Sequence, residues 1–211
     1  MFMIPKISLK DLADNKKSTL NLLSDALSHH GFFVITDHKI PYTLFNEAYK
    51  YSEKFFNLDN LVKTKYSFRE HAGARGYTPF GKETALGETV PDLKEFWHHG
   101  PIVDKTFDKR ILKNIVVSEI DNFNNIFDKL FKEMNSLGLN LLSSISLTLD
   151  LPQDYFEQST KRGNSLLRLI HYPPSNNENM FRAREHADIN LITLLIGANE
   201  PGLEVKDKSG T

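Results

Sequence analysis

Apolar residues recur along this chain first with the period of helices and later with that of strands. Leu20, Leu23 and Leu27 fall at helical spacing, with Ser18 placed to cap that helix and Gly31 to stop it after His30. Residues 5–9 read as an extended entry before it. Phe32-Phe33-Val34-Ile35-Thr36 reads as a buried strand after it. A turn at 37–39 leads to Pro41, suited to the first position of a helix whose Leu44, Ala48, Tyr51 and Phe55 share a face. Glycines and prolines then interrupt the pattern from about 62 to 106. Tyr66, Phe68, Tyr77, Phe80, Phe96 and Trp97 in that stretch predict an ordered loop packed on something, because a disordered linker lacks aromatics.

The longest helical pattern runs over 108–148, with Ile111, Ile115, Phe123, Phe127, Leu130, Met134, Leu137, Leu141 and Ile145 at helical steps. At ~1.5 Å per residue it would exceed roughly 50 Å, so a break is expected, with Gly138 as the candidate. After Gly163 the period shortens. Residues 165–172, 185–188, 191–196 and 203–206 read as short strands, with turns at Pro173-Pro174, Asn176-Asn177, Glu200-Pro201-Gly202 and 207–211. Helices first and strands later predict an α+β protein, divided as a helical and β region over 1–162 and the start of a β-sandwich or barrel over 163–211.

Composition narrows the chemistry. A hydrophobic content of 40% and a charged content of 25% suit a globular domain, and 211 residues can bury a substantial core. A net charge of −1 offers no basic surface for nucleic acid or an anionic membrane. Met1-Phe2-Met3-Ile4-Pro5 is too short an apolar run for a signal peptide, so a cytoplasmic protein without membrane association is expected. Cysteine is absent, which excludes disulfides and thiolate ligands, so any metal must be held by His and carboxylates.

One polar triplet stands out, His186-Ala187-Asp188, leading into the apolar run Ile189 to Leu195. On a strand, His186 and Asp188 would project from one face, with Cα atoms ~6.5 Å apart, close enough to converge on one metal ion. Two histidines and a carboxylate form the facial triad that holds Fe(II) with positions left open. Taken alone, the triplet is one that chance supplies in many chains, and it equally suits a polar pair at a strand edge.

Its company gives it weight. Phe32-Phe33-Val34-Ile35-Thr36-Asp37-His38-Lys39-Ile40-Pro41, then Phe55-Phe56, Arg75-Gly76-Tyr77, Lys94-Glu95-Phe96, Leu166-Leu167-Arg168-Leu169, Tyr172-Pro173 and His186-Ala187-Asp188 occur in order. In these motifs the chain resembles the isopenicillin N synthase-like, non-haem iron(II) and 2-oxoglutarate-dependent oxygenases. The resemblance implies a helical and β N-terminal region packed on a double-stranded β-helix (jelly roll), of which only the first strands are present. It implies Fe(II) as metal, 2-oxoglutarate as co-substrate, and oxidation of a small molecule by O2. His186 and Asp188 match two metal ligands. Tyr172 matches a pocket tyrosine that can hydrogen-bond the co-substrate's carboxylate, and Arg75 a position from which arginine can reach substrate. Arg168 sits beside a strand with a structural role as its simplest reading. Lys39 stands where the family has glycine, a local change. The second His ligand and an Arg-x-Ser carboxylate clamp are expected beyond Thr211, in a longer reading frame.

Other classes remain open at this point. Gly76 to Lys82 fits the start of a phosphate-binding loop, but Glu83 replaces the Ser/Thr that should follow, and no apolar strand precedes it. His98 and His99 are neighbours, so on a strand at most one could join a site. A catalytically incomplete fragment and a jelly-roll metal enzyme that does not activate oxygen are the remaining alternatives.

Overall fold

The computed structural model describes residues 4–84, 90–174, 182–197 and 200–206. It is α+β, and its close contacts divide it into two units that are each discontinuous in sequence. One unit takes in 1–40, 134–161 and 189–211, and the other 41–133 and 162–188. The turns expected at Asn176-Asn177 and 207–211 lie outside the described residues. No helix among the described residues is long and apolar enough to cross a membrane.

In the first unit, β1 (Lys6–Ser8) pairs in parallel with β2 (Val34–Thr36). Between them lie α1 (Leu9–Ala13) and α2 (Lys17–His29). Ser8 ties the ends together: its hydroxyl oxygen accepts from the Asp11 N–H to cap α1, and its O–H donates to Asp37 Oδ2 at 2.8 Å. α2 begins before Ser18, with Lys16 as its cap residue, and buries Thr19, Leu23 and Ala26. β2 is less buried than its apolar run predicted, since Phe32 and Val34 are exposed. A two-stranded ribbon has only one partner edge and leaves part of its surface uncovered.

α5 (Phe123–Thr148) corrects the long-helix expectation, because residues 108–122 are not helical. Asn122 sits at φ 65°, a left-handed conformation that cannot propagate into an α-helix. The Asn124 side chain fastens the irregular approach, accepting from Val117 N–H and donating to the Ile115 carbonyl. The helix runs unbroken through Gly138, whose role is space. A Cβ there would lie 3.6 Å from Leu194 Cδ1 and 3.9 Å from Ile192 Cδ1. α6 (Glu157–Thr160) follows after Pro152.

Of the late strands, only β5 (Leu167–His171) forms; 185–188, 191–196 and 203–206 do not. Their alternation survives, with Ile192, Leu194 and Ile196 half-buried while Leu191, Thr193 and Leu195 are exposed. A period-two pattern fixes which side chains turn inward, but a strand also needs a neighbouring backbone to bond, and these segments find none among the described residues.

In the second unit, α3 (Tyr42–Phe56) starts directly after Pro41 and buries Ala48, Phe55 and Phe56. It is followed by α4 (Asn60–Thr64), capped by the Asp59 carboxylate. β3 (Gly76–Thr78), β4 (Glu95–His99) and β5 make an antiparallel sheet in the order β3-β4-β5, the first two inside the stretch expected as a packed loop. Trp97 is fully buried and packs edge-on against Phe55 and Phe123, with centroids 4.9 and 5.2 Å away. Tyr66 and Tyr77 close the same aromatic cluster around Phe55.

Candidate metal-binding pair and the polar face of the sheet

The registers Trp97↔Leu169 and Tyr77↔Trp97 put Glu95, Trp97 and His99 on the face that meets this aromatic core. Glu95 is its polar hub. Buried, it accepts from Lys63 Nζ at 2.9 Å, from Tyr77 O–H, and pairs with His171 Nδ1 at 2.7 Å. Burial alone would raise its pKa, but these donors outweigh burial and hold it below the ordinary carboxylate range. His99 faces the same way and pairs with Asp128 Oδ1 at 2.7 Å. The charged groups on this face are bound to one another, while Trp97 Nε1 and His99 Nδ1 are buried without a hydrogen-bond partner among the described residues.

Phe96 and His98 point to the opposite face, which confirms that the neighbouring histidines part company. His98 pairs in register with Arg168 on β5. A carbonyl can only accept, so His98 Nδ1 donates to Gly73 O at 2.5 Å, leaving Nε2 to accept from Arg168 Nε–H at 2.7 Å. Burial, with Arg168 and Arg75 nearby, pushes the His98 pKa down to about 4 despite the Gly73 hydrogen bond and the Glu83 charge, so this imidazole is neutral. Arg168 also reaches Glu83, which binds Lys94 at 2.6 Å; Lys94 in turn holds Asp92 at 3.0 Å. Lys94 and Asp92 are buried. Burial would lift Glu83, yet Lys94 and Arg168 hold it below its ordinary value.

Tyr172, one residue past β5, falls on this face by alternation with Arg168 and is half-buried. Burial raises its pKa, and Lys94, Asp92, Arg168 and Glu83 all lie within its electrostatic reach. Sequence reasoning named Tyr172, met Glu83 only as the misfit in a phosphate-loop pattern and Lys94 only within the Lys94-Glu95-Phe96 motif, and missed Asp92; the three acquire their common meaning through β4.

Arg75 lies inside the protein, 1% exposed. It donates to Ala74 O and to Asn164 Oδ1, both at 2.7 Å, and its Nε has no hydrogen-bond partner among the described residues. A Cβ at Gly100 would come within 2.2 Å of the guanidinium carbon, so Gly100 lets the loop lie flat on it.

His186 and Asp188 occupy an exposed, irregular segment. Even without a strand they converge: His186 Nε2 lies 3.6 Å from Asp188 Oδ1. His186 Nδ1 donates to the Arg184 carbonyl at 2.7 Å, which fixes the tautomer in the neutral ring and leaves the Nε2 lone pair directed outward. A lone pair facing a carboxylate oxygen calls for a proton or a cation between them. That donor set fits a divalent metal. No group of three possible ligands occurs among the described residues, so the pair supplies two positions and no more.

Comparison with known proteins places the chain in a family. Residues 4–117 match the profile of the N-terminal region of non-haem dioxygenases, described from morphine synthesis. The chain belongs to the non-haem iron(II) and 2-oxoglutarate oxygenase family. The solved structure of a 2OG-Fe(II) oxygenase family protein from Caulobacter crescentus is 35% identical, with a TM-score of 0.87 over 100% of this chain and 69% of that one. Among curated proteins, a proline hydroxylase of Petromyces alliaceus is 31% identical over 95% of this chain and 65% of its own length. Gibberellin 20 oxidase 1 of Arabidopsis thaliana is 26% identical over 96% of this chain and 55% of its own. The chain thus spans under two thirds of these two curated relatives.

Proposed function

We propose that this protein works as an Fe(II)- and 2-oxoglutarate-dependent oxygenase that oxidises a small molecule with O2. The carrying observation is the His186–Asp188 pair, with Nε2 freed by the Nδ1–H···Arg184 hydrogen bond and set 3.6 Å from a carboxylate oxygen. Bound there, Fe(II) would supply the redox chemistry that couples decarboxylation of 2-oxoglutarate to oxidation of the substrate. A second histidine, implied by the family resemblance, would complete the ligand set.

The chain's own residues would do the rest. Arg184 fixes the imidazole that binds metal. Tyr172 keeps its phenolic proton at neutral pH, burial only raising its pKa further, and is a hydrogen-bond donor for a co-substrate carboxylate. Arg75, buried against Gly100 and Asn164, supports the turn before β3 that presents Gly73 to His98; its part in substrate binding is positional rather than by contact. Reach of this kind is how supporting residues hold a site within the tolerance catalysis demands.

Calorimetric titration of the protein with Mn(II) under nitrogen tests the site. His186→Ala and Asp188→Ala should each weaken binding at least about tenfold, while adding 2-oxoglutarate to the Fe(II) protein should raise a visible charge-transfer band that Tyr172→Phe diminishes. Unchanged Mn(II) affinity in both alanine variants would refute the ligand assignment. Metal binding without the band would favour a metal enzyme that does not activate oxygen.

A further inference from the structure

Arg75 is a buried cation without a counter-charge. Its guanidinium donates to the Ala74 carbonyl and the Asn164 amide oxygen and lies against Gly100; among the described residues it forms no ion pair. Burial lowers its pKa, and no neighbouring carboxylate acts to raise it. A guanidinium nevertheless stays protonated at any pH a folded protein meets. A buried charge with no opposite charge beside it is strongly unfavourable, so a carboxylate brought to Arg75 would be stabilised there.

The side chain already in that place is one chemical step from a carboxylate. A guanidinium cannot accept a hydrogen bond, so it is Oδ1 of Asn164 that faces Arg75 Nη2 at 2.7 Å, and Nδ2 turns away. Unlike Arg75, Asn164 and Ser165 are exposed, in an irregular stretch between Arg162, at φ 57°, and β5. No hydrogen bond holds the Ser165 N–H among the described residues. Asparagine followed by a small residue is prone to deamidate, because the next backbone nitrogen can reach the amide carbon. The chain has no Asn-Gly and one other Asn-Ser, Asn135-Ser136, which lies inside α5 where helical hydrogen bonds fix the backbone.

We propose that Asn164 is a self-modification site, deamidated to a carboxylate that gives Arg75 its missing counter-charge. The Ser165 backbone nitrogen gives its proton to hydroxide and bonds to Asn164 Cγ. Negative charge then gathers on Oδ1, where the Arg75 Nη2–H already donates and stabilises it. The Cγ–Nδ2 bond breaks, and the amide nitrogen takes a proton from water and leaves as ammonia. A second water opens the cyclic imide to a carboxylate. Nothing is oxidised or reduced; water is consumed and ammonia released. Opening at the side-chain carbonyl gives aspartate, with an oxygen where Oδ1 stands against Arg75. Exposed ion pairs contribute little because both side chains must be held in place, but here burial has already fixed the cation. The site is independent of the oxygenase reading.

The test is incubation of the full chain in mild base, with intact mass and peptide mapping over time. Asn164 should deamidate at least about tenfold faster than Asn135, the same dipeptide in a helix. Arg75→Gln, shown by thermal melting to be folded, should slow the change at Asn164 at least about tenfold. Arg75→Lys, which loses the planar donor, takes its place if Arg75→Gln does not fold. Asn164→Asp supplies the product directly and needs no Arg75 variant: at neutral pH it should melt about 2–4 °C above the parent chain. That gain should disappear in acid, where the new carboxylate is protonated, and in the Arg75→Gln background. Equal rates at Asn164 and Asn135, a folded Arg75 variant that deamidates as fast as the parent or faster, or an Asn164→Asp protein that melts no higher would each overturn the proposal.

Discussion

His98 should make this protein's stability depend on pH between about 4 and about 6.5. Its imidazole ordinarily titrates near 6.5 and here is pushed down to about 4, because it is buried with Arg168 and Arg75 nearby, the Gly73 hydrogen bond and the Glu83 charge only partly offsetting them. Between those values the unfolded chain binds a proton that the folded chain does not, so folding stability rises with pH. The contribution is fully present above about 6.5, falls as pH drops, and is gone below about 4. At ~1.36 kcal/mol per pH unit, the 2.5-unit gap is worth about 3 kcal/mol. Replacing His98→Gln removes the titration while keeping an acceptor for Arg168. It loses the donor to Gly73, at a cost of about 1 kcal/mol. At pH 7.5 the variant should therefore be the less stable protein by about 1 kcal/mol; at pH 4.5 the order should reverse, since the native protein will have lost roughly 2–3 kcal/mol that the variant never had. Urea unfolding at both pH values reads this directly. The depressed carboxylates Glu83 and Glu95 lose their contributions at lower pH in both proteins and largely cancel in the difference. A stability difference that stays constant within about 0.5 kcal/mol across the window would show that His98 is not held neutral, and the hydrogen-bond assignment would fall with it.

Three further outcomes follow from packing and backbone geometry. Gly100→Ala drives a methyl group into the Arg75 guanidinium and should cost about 1–3 kcal/mol, and most of that cost should vanish in the Arg75→Ala background; chemical denaturation of the four proteins measures the coupling. Lys39, at φ 58°, occupies the left-handed region that glycine enters freely, so Lys39→Gly should stabilise the protein by about 0.5–1 kcal/mol after allowing for the looser unfolded chain; a lower melting temperature would contradict it. Lys63→Met strands the buried Glu95 carboxylate and should cost about 3–5 kcal/mol, whereas Lys63→Met with Glu95→Leu should cost clearly less. Denaturant titration compares the two.

What the sequence conveyed well was whatever depends on neighbours along the chain. The entry strand, α2, α3 with Pro41 at its head, the packed aromatics of the middle stretch and β5 could all be read from local periodicity. α5 could be read only in part, because nothing local marks Asn122 as the residue that turns left-handed and excludes 108–122 from the helix. β4 went unread for a different reason. Its residues, Glu-Phe-Trp-His-His, are polar and aromatic in turn, yet all five are buried. Such a strand has no apolar alternation because its polar members find partners outside the strand: Glu95 in Lys63, Tyr77 and His171, His98 in Gly73 and Arg168, and His99, through Nε2, in Asp128. Those partners lie from 18 to 76 residues away, beyond the reach of any local pattern.

The candidate site shows the same division. His186 and Asp188 were found through spacing and ordered motifs, on the premise that a strand would align them. They come within 3.6 Å without one. A two-residue separation lets short side chains converge in extended or turning backbone alike, so the spacing carried the pairing and the strand was dispensable to it. The polar cluster at Arg168 was invisible for the opposite reason. Glu83, His98 and Arg168 are separated by 15 and 70 residues, and each alone suits a surface or a core equally well. Only the register His98↔Arg168 makes them one object. A substitution that shifts that register by one residue would turn Arg168 to the aromatic core face and break its bonds to His98 and Glu83 together.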